Sequence, residues 1–279
     1  MSTKKVWFVT GASKGLGLTL VKKLLTEGYS VAATSRNVSE LQKVISAENS
    51  DFVPLEVDLV NENSVSEAIS KTVEKFGQLD VIVNNAGYGQ LGTLEELTDK
   101  ESRQNFDTNV FGSLNIIRKS MPYLRAQKSG LVINIASIGG LSGDFPGWGI
   151  YCATKFAVVG FTEALAAEAK EFGVNATVVY PGYFRTDFLT GGSLRTPENE
   201  IDAYATARQI QKAHEQDING NQPGDPEKAA VALIELAAME NPPVHLVLGS
   251  DAFQMATNKL STLQNEISDF KTLSISTDY

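Results

Sequence analysis

The chain has 279 residues, enough for one large α/β domain or two small ones. Its hydrophobic content of 42% supports a sizeable core, and a net charge of −9 argues against a nucleic-acid or anionic-membrane binder. One cysteine, Cys152, excludes an intramolecular disulfide and suits a reducing compartment. No basic-then-apolar segment precedes the first apolar run, and no apolar run approaches ~18 residues. The expectation is a soluble, cytoplasmic protein.

Short apolar strands alternate with amphipathic helical patterns almost from end to end. The first strand is Val6–Val9. Gly11, Gly15 and Gly17 follow it, and then a helical stripe of Leu16, Leu20, Val21, Leu24 and Leu25. Strand, glycine turn and helix is the context of a phosphate-binding loop: glycine lets a pyrophosphate approach the main chain, and the helix start offers unpaired N–H donors. The spacing G-x-x-x-G-x-G differs from the usual dinucleotide fingerprint G-x-G-x-x-G. The pattern predicts further strands at Ser30–Thr34, Phe52–Val57, Asp80–Val83, Gly130–Ala136, Val174–Tyr180 and Val244–Leu248. Helices are predicted at Ser39–Ala47, Glu62–Phe76, Lys100–Arg125 (with Pro122 bending its last turn), Ile150–Phe172 and Pro226–Ala238. Tyr183–Gln222 breaks the alternation, with short helical pieces near Ile201–Gln216. The tail reads as one helix and then a mobile Ser/Thr-rich end. No repeat and no linker divides the chain, so one α/β domain with a doubly wound parallel sheet of about seven strands is expected. Polar and glycine residues fall at the ends of six successive strands, where such sheets bind ligands.

The second strand ends Thr34-Ser35-Arg36. A carboxylate at this place would bond the ribose of NAD; an arginine beside a hydroxyl instead suits a 2′-phosphate. Lys14 adds a second positive charge from the glycine loop. Each alone reads as a solvated surface charge; together, where the phosphate would lie, they favour NADP(H). Tyr151 and Lys155 sit at i and i+4 on one helix and share a face. An ammonium beside the phenol should favour the phenolate and make a proton donor and acceptor usable near neutral pH. Ser137, ending the fifth strand, can hydrogen-bond a carbonyl or alkoxide oxygen. Tyr-x-x-x-Lys alone is a weak signal and becomes specific only with the glycine loop before it.

At these residues the chain resembles the short-chain dehydrogenase/reductase family. The resemblance rests on Thr10–Gly17, Asp58, Asn84–Gly87, Asn109, Ser137, Tyr151, Lys155, Pro181-Gly182 and Thr186. It covers Lys4–Thr186 in register and continues more loosely to Leu248. It implies a Rossmann-type fold in one domain, with a dinucleotide-binding core over 4–182, a substrate lid over 183–222 and a tail over 250–279. It implies a catalytic tetrad of Asn109, Ser137, Tyr151 and Lys155, with hydride transfer between a nicotinamide and a carbonyl carbon. The cofactor contacts it implies are Gly11, Ser13, Lys14, Gly15, Leu16, Gly17, Ser35, Arg36, Asp58, Asn85, Ala86, Gly87, Lys155, Pro181, Gly182 and Thr186. Asn109 would hold a water in a proton relay, although by pattern alone it is a surface polar residue inside a helix. A homo-oligomer and a small-molecule carbonyl or alcohol substrate follow from the same likeness, and no metal does. Three features depart from the family: Cys152 stands where serine is common and reads as a small packing residue; the Tyr183–Gln222 segment is long; and the tail lacks the short glycine-rich ending of many tetrameric members.

Two other readings compete. Gly11–Gly15 also matches G-x-S-x-G, the nucleophile elbow of serine hydrolases, with Ser13 as nucleophile. That reading needs His214 or His245, and His245 falls inside a strand. A non-catalytic nucleotide-binding regulator is the third reading, and an intact tetrad speaks against it. For substrate, Tyr88, Phe145, Trp148, Tyr183, Phe184 and Phe188 cluster near strand ends and suggest an apolar carbonyl compound. Asp187, Glu198, Glu200 and Asp202 in the lid, with Arg185 and Arg195, form no basic docking patch and point to a small neutral molecule.

Overall fold

A computed structural model describes residues 4–45, 49–190 and 192–279. Seven strands form one parallel sheet: β1 (Val6–Val9), β2 (Ser30–Ser35), β3 (Phe52–Glu56), β4 (Val81–Asn84), β6 (Gly130–Ile135), β7 (Val174–Pro181) and β9 (His245–Leu248). Their spatial order is β3-β2-β1-β4-β6-β7-β9. β1 lies inside the sheet between β2 and β4, with Phe8 between Ala32 and Ile82, and its four residues are at most 2% exposed. A strand buried on both faces must be apolar at every position, which is why Val-Trp-Phe-Val shows no alternation.

The period of two still divides the core. Trp7, Val9, Val31, Val83 and Ile133 face one side, where α1 (Gly15–Thr26) and α8 (Pro226–Ala238) supply Leu20, Leu24, Leu233 and Leu236. Phe8, Ala32, Ile82 and Val132 face the other, against Ile69 of α3 (Glu62–Phe76), Ile116 of α5 (Gly112–Gln127) and Leu165 of α6 (Gly149–Ala169). Burying these two layers is the main force holding the doubly wound fold. The strand order reverses between β1 and β4, so their carboxyl ends part and leave a crevice.

Several boundaries differ from the pattern for physical reasons. α2 runs Val38–Val44 behind an Asn37 cap, and the predicted end at Ala47 lies outside the described residues. The helix expected over Lys100–Arg125 is α4 (Asp99–Phe106), a π-helical turn (Asp107–Phe111) and α5; Pro122 lies inside α5, which continues to Gln127. α6 and its terminal turn, Gly149–Phe172, are long and apolar enough to cross a membrane, with mean hydropathy 1.3. Here that apolarity packs on the sheet through Val158, Leu165 and Ala169. The segment after β7 contains β8 (Leu194–Arg195), α7 (Ala205–Lys212) and a π turn at Ala213–Ile218. β8 pairs with β5 (Gly89–Gln90) in a small separate sheet that two-residue strands do not announce. The tail is helical further than expected: α9 (Ser250–Asp269) is followed by α10 (Lys271–Ile275). Ser268, Ser274 and Ser276 bond back to carbonyls of the preceding turn instead of opening it.

Candidate active site

The loops after β1 and β4 are stitched together by one threonine and one asparagine. The Thr10 hydroxyl accepts from the Asn85 and Ala86 amides at 3.0 and 3.1 Å. The Asn85 side chain donates to the Thr10 and Gly11 carbonyls at 3.0 and 3.1 Å. This contact leaves no room for side chains. A Cβ on Gly11 would lie 2.7 Å from Ala86 Cα, and its φ of +64° is left-handed. Lys14 precedes α1 without a capping side chain, and the first turn carries no acidic residue. The helix thus presents its N-terminal donors uncapped, the arrangement a phosphate group needs.

These loops open on a cavity of about 610 Å³ at the carboxyl ends of the strands. Gly11, Ser13, Lys14, Gly15 and Leu16 line it, as do Ser35, Arg36 and Asp58 from the ends of β2 and β3. Asn85, Ala86 and Gly87 line it from β4, and Pro181, Gly182 and Thr186 from β7. Gly17 does not: it is buried, and a Cβ there would sit 2.5 Å from the Asn85 amide nitrogen. It sets the packing of α1 against the loop. Arg36 and Lys14 are exposed and, among the described residues, pair with no carboxylate. The Lys14 ammonium lies over Gly192, where a Cβ would meet it at 2.6 Å, so the segment after β7 reaches the glycine loop.

Ser137 from the end of β6, and Tyr151 and Lys155 one turn apart on α6, line the same cavity. Lys155 Nζ donates to the Ile135 carbonyl at 2.9 Å and lies 5.7 Å from the centre of the Tyr151 ring. Electrostatics here differ from the sequence expectation. Burial pushes the Tyr151 phenol up, and the Ser137 hydroxyl pulls against it. Burial also pushes Lys155 down to about 8. For both groups burial disfavours the charged form, and this sets the direction of each shift.

Asn109 is fully buried rather than on the surface. It sits in the π turn between α4 and α5, and does not line the cavity. Its carbonyl accepts from the Tyr88 amide at 3.0 Å; its amide donates to the Tyr88 carbonyl and the Thr154 hydroxyl, each at 3.1 Å. Gly87 permits this approach, since a Cβ there would be 3.0 Å from Asn109 Oδ1 and 3.7 Å from Lys155 Nζ. Helical periodicity places Asn109 correctly in a helix but cannot reveal a π turn, which changes which residue faces inward.

The distal end of the cavity is aromatic. Tyr88, Phe145, Trp148, Tyr183, Phe184 and Phe188 all line it. Trp148 and Tyr151 meet edge to face, 5.3 Å between centres. His214 completes this end and was considered from sequence only as a hydrolase base. Its Nδ1 faces the Ile210 carbonyl at 2.8 Å and so carries the proton, leaving Nε2 to accept from the Tyr183 hydroxyl at 2.9 Å. His245 pairs with the Tyr180 hydroxyl at 2.9 Å on the edge strand. Both histidines are engaged away from Ser13, so the hydrolase reading finds no triad. Cys152 is buried, and burial pushes its thiol up to about 11, as befits packing rather than chemistry.

Two buried carboxylates hold the segment after β7, and neither stands out in the sequence. Glu96 accepts from the Thr93 and Ile201 amides, each at 2.8 Å, and from Arg208 at 2.7 Å. Glu101 accepts from the Glu198 amide at 2.9 Å. On the outside of the clamp Arg208 also pairs with Glu200 at 2.7 Å. Arg195 stacks on Tyr88, 4.2 Å from the ring centre.

A parallel sheet with a glycine-lined crevice at its switch point defines a doubly wound nucleotide-binding protein, and Ser137, Tyr151 and Lys155 stand beside the crevice. Comparison with known proteins gives the family. Residues 5–194 match the family described as short chain dehydrogenase. The 3-ketodihydrosphingosine reductase of Bacteroides thetaiotaomicron is 36% identical over 248 residues, covering 88% of each chain. A short-chain dehydrogenase from Streptomyces avermitilis superposes with a TM-score of 0.91 at 33% identity, covering all of both chains. ElxO, solved with NADP bound, has a TM-score of 0.74 at 27% identity over 90% of this chain and 99% of its own. The chain belongs to the short-chain dehydrogenase/reductase family and is an oxidoreductase of that family.

Proposed function

We propose that the protein is an NADP(H)-dependent carbonyl reductase acting on a small to medium apolar ketone or aldehyde. The observation that carries this reading is the single cavity running from Lys14 and Arg36 to Ser137, Tyr151 and Lys155. The residues fit a dinucleotide: an uncapped helix start, glycines at Gly11 and Gly15 with positive φ, and two cations where a 2′-phosphate would lie. The nicotinamide supplies the hydride in reduction and accepts it in oxidation. Gly11, Ser13, Gly15, Leu16, Gly87 and Thr186 would form the bed of the dinucleotide, with Ser35 and Asp58 beside its adenosine end.

The chain's own groups manage the oxygen and its proton. Ser137 Oγ donates to the carbonyl oxygen and holds it against Tyr151. The buried Tyr151 stays neutral at physiological pH and gives its phenolic proton to that oxygen as alcohol forms. Lys155, charged below about pH 8, stabilises the phenolate left behind. Asn109 keeps the Tyr88 backbone and Thr154 in place behind the reacting groups. The aromatic end excludes water and takes the apolar part of the substrate. The 3-keto group named in the Bacteroides relative supports a ketone on a hydrocarbon skeleton.

Trp148 provides the test, because it lines the cavity beside Tyr151. Titration with NADPH should quench tryptophan fluorescence at much lower concentration than NADH. A panel of apolar ketones should then consume NADPH. Preference for NADH would overturn the role of Arg36; binding of neither would overturn the reading as a whole.

A further inference from the structure

The aromatic end of the cavity has hydrogen-bonding capacity left over. Among the described residues, several buried side-chain polar atoms lack a partner, and two of them, Trp148 Nε1 and Gln222 Nε2, belong to residues that line the cavity. Trp148 is 5% and Gln222 2% exposed. An indole N–H can only donate. The Gln222 side chain is oriented by its other end: Oε1 accepts from the Gly220 amide at 2.9 Å, so the nitrogen is the end without a partner. The Gln222 carbonyl accepts from the Arg185 guanidinium at 3.1 and 3.3 Å, which holds the residue in place. A buried donor without a partner is costly, and both donors are satisfied by an oxygen entering this end of the cavity.

Tyr183 stands in the same lining and offers the complementary group. Its amide donates to Asp251 Oδ2 at 2.7 Å, and its hydroxyl pairs with His214 Nε2 at 2.9 Å. Because His214 Nδ1 keeps its proton for the Ile210 carbonyl, Nε2 accepts, and the one phenolic proton of Tyr183 is committed to it. The Tyr183 oxygen is left with lone pairs. Two free donors thus share the lining with an oxygen that can only accept. A second ketone or a carboxylate would satisfy the donors but could not donate to Tyr183, and an ammonium could donate but not accept. A hydroxyl does both. Trp148 connects this group to the reacting centre, since its ring centre lies 5.3 Å from that of Tyr151 and 5.0 Å from that of His214.

We propose that Tyr183, Gln222 and Trp148 form a subsite for a hydroxyl group, and that the substrate is a ketone carrying a hydroxyl at its far end. This rests on the carbonyl reductase reading and narrows it. The test is a series of straight-chain methyl ketones of increasing length, each ending either in a hydroxyl or in a methyl group, with NADPH consumption as the readout. An apolar pocket favours the methyl member of every pair. A built hydroxyl subsite should instead give the hydroxyl member of at least one pair a kcat/KM about tenfold higher, mostly through KM. Tyr183→Phe and Gln222→Glu should each bring that ratio to about one or below. The glutamate keeps an oxygen for the Gly220 amide and removes only the donor, so its effect does not depend on disturbing the fold. Turnover of both series with the methyl members preferred throughout overturns the subsite and leaves the reductase reading standing. A hydroxyl preference that survives both substitutions also overturns it, because the hydroxyl is then held elsewhere. Consumption of NADPH with neither series overturns the reductase reading and the subsite together.

Discussion

The wall of the cavity under the loops after β1 and β4 is joined at close range, as the Thr10 hydroxyl and the Asn85 side chain each bond main-chain groups of the opposite loop. The facing wall, formed by the segment after β7, is held by the pairing of β8 with β5 and by side chains that reach far along the chain: Arg208 to Glu96, 112 positions away, and Glu101 to the Glu198 amide, 97 positions away. The first wall has almost no freedom, since glycine Cβ positions there would collide with backbone. The second depends in its outer half on two buried carboxylates, Glu96 and Glu101, outside the seven-stranded sheet. A rigid floor that presents one ligand and a clamped cover over another is a division of labour suited to binding a constant cofactor and a variable substrate.

The comparison is broken most severely where the two walls meet, at Tyr151. Tyr151→Phe should lower turnover by about 10²- to 10⁴-fold while NADPH still quenches fluorescence, because only the proton is lost. Retained activity would remove the phenol from the reaction. On the rigid wall, Arg36→Asp should weaken NADPH binding by about tenfold to a hundredfold, with NADH binding level or improved. Competitive titration of the two nucleotides measures this, and an unchanged ratio places the phosphate elsewhere.

On the clamped wall, Glu96→Gln should cost about 1–2 kcal/mol, since a carboxamide cannot satisfy the Ile201 and Thr93 amides and Arg208 together. KM should rise more than kcat falls, with nucleotide affinity held. An equal loss of nucleotide binding in titration would show that the two walls are not independent.

The smallest effect concerns pH. Burial lowers Lys155 from 10.5 to about 8, so the folded protein holds a costly charge below about pH 8. Between about 8 and 10.5 the unfolded chain binds more protons at this residue, and its contribution to stability rises with pH. Urea unfolding without nucleotide should therefore find Lys155→Met more stable than wild type near neutral pH, with the gap narrowing as pH rises past 8. A gap that does not change with pH would mean that Lys155 is not desolvated.

How much of this was legible in the sequence depended on the range of the interaction. The strands β1, β7 and β9 lie within a residue or two of their predicted bounds, and α3 and α8 match theirs, because a buried strand or a capped amphipathic helix is written in adjacent residues. The glycine loop after β1 was equally plain, since only glycine serves at φ +64° against Ala86. Asn109 was not, because a single extra residue in a helical turn rotates its neighbours without leaving a local mark. The direction of the Tyr151 shift differs from expectation for a related reason: spacing predicts that two groups are neighbours, but says nothing of how deeply they are buried.

By itself the sequence determined a single parallel α/β domain, the glycine loop, the paired cations of the nucleotide end and the helical face shared by Tyr151 and Lys155. Each of these is set by local spacing, backbone conformation or residue chemistry. Only the tertiary structure decided that Glu96 and Glu101 clamp the segment after β7, that His214 closes the aromatic end, that Asn109 is buried, and that the tail leaves the body with apolar side chains exposed. Those outcomes depend on which distant segments come together and on which surfaces water still reaches.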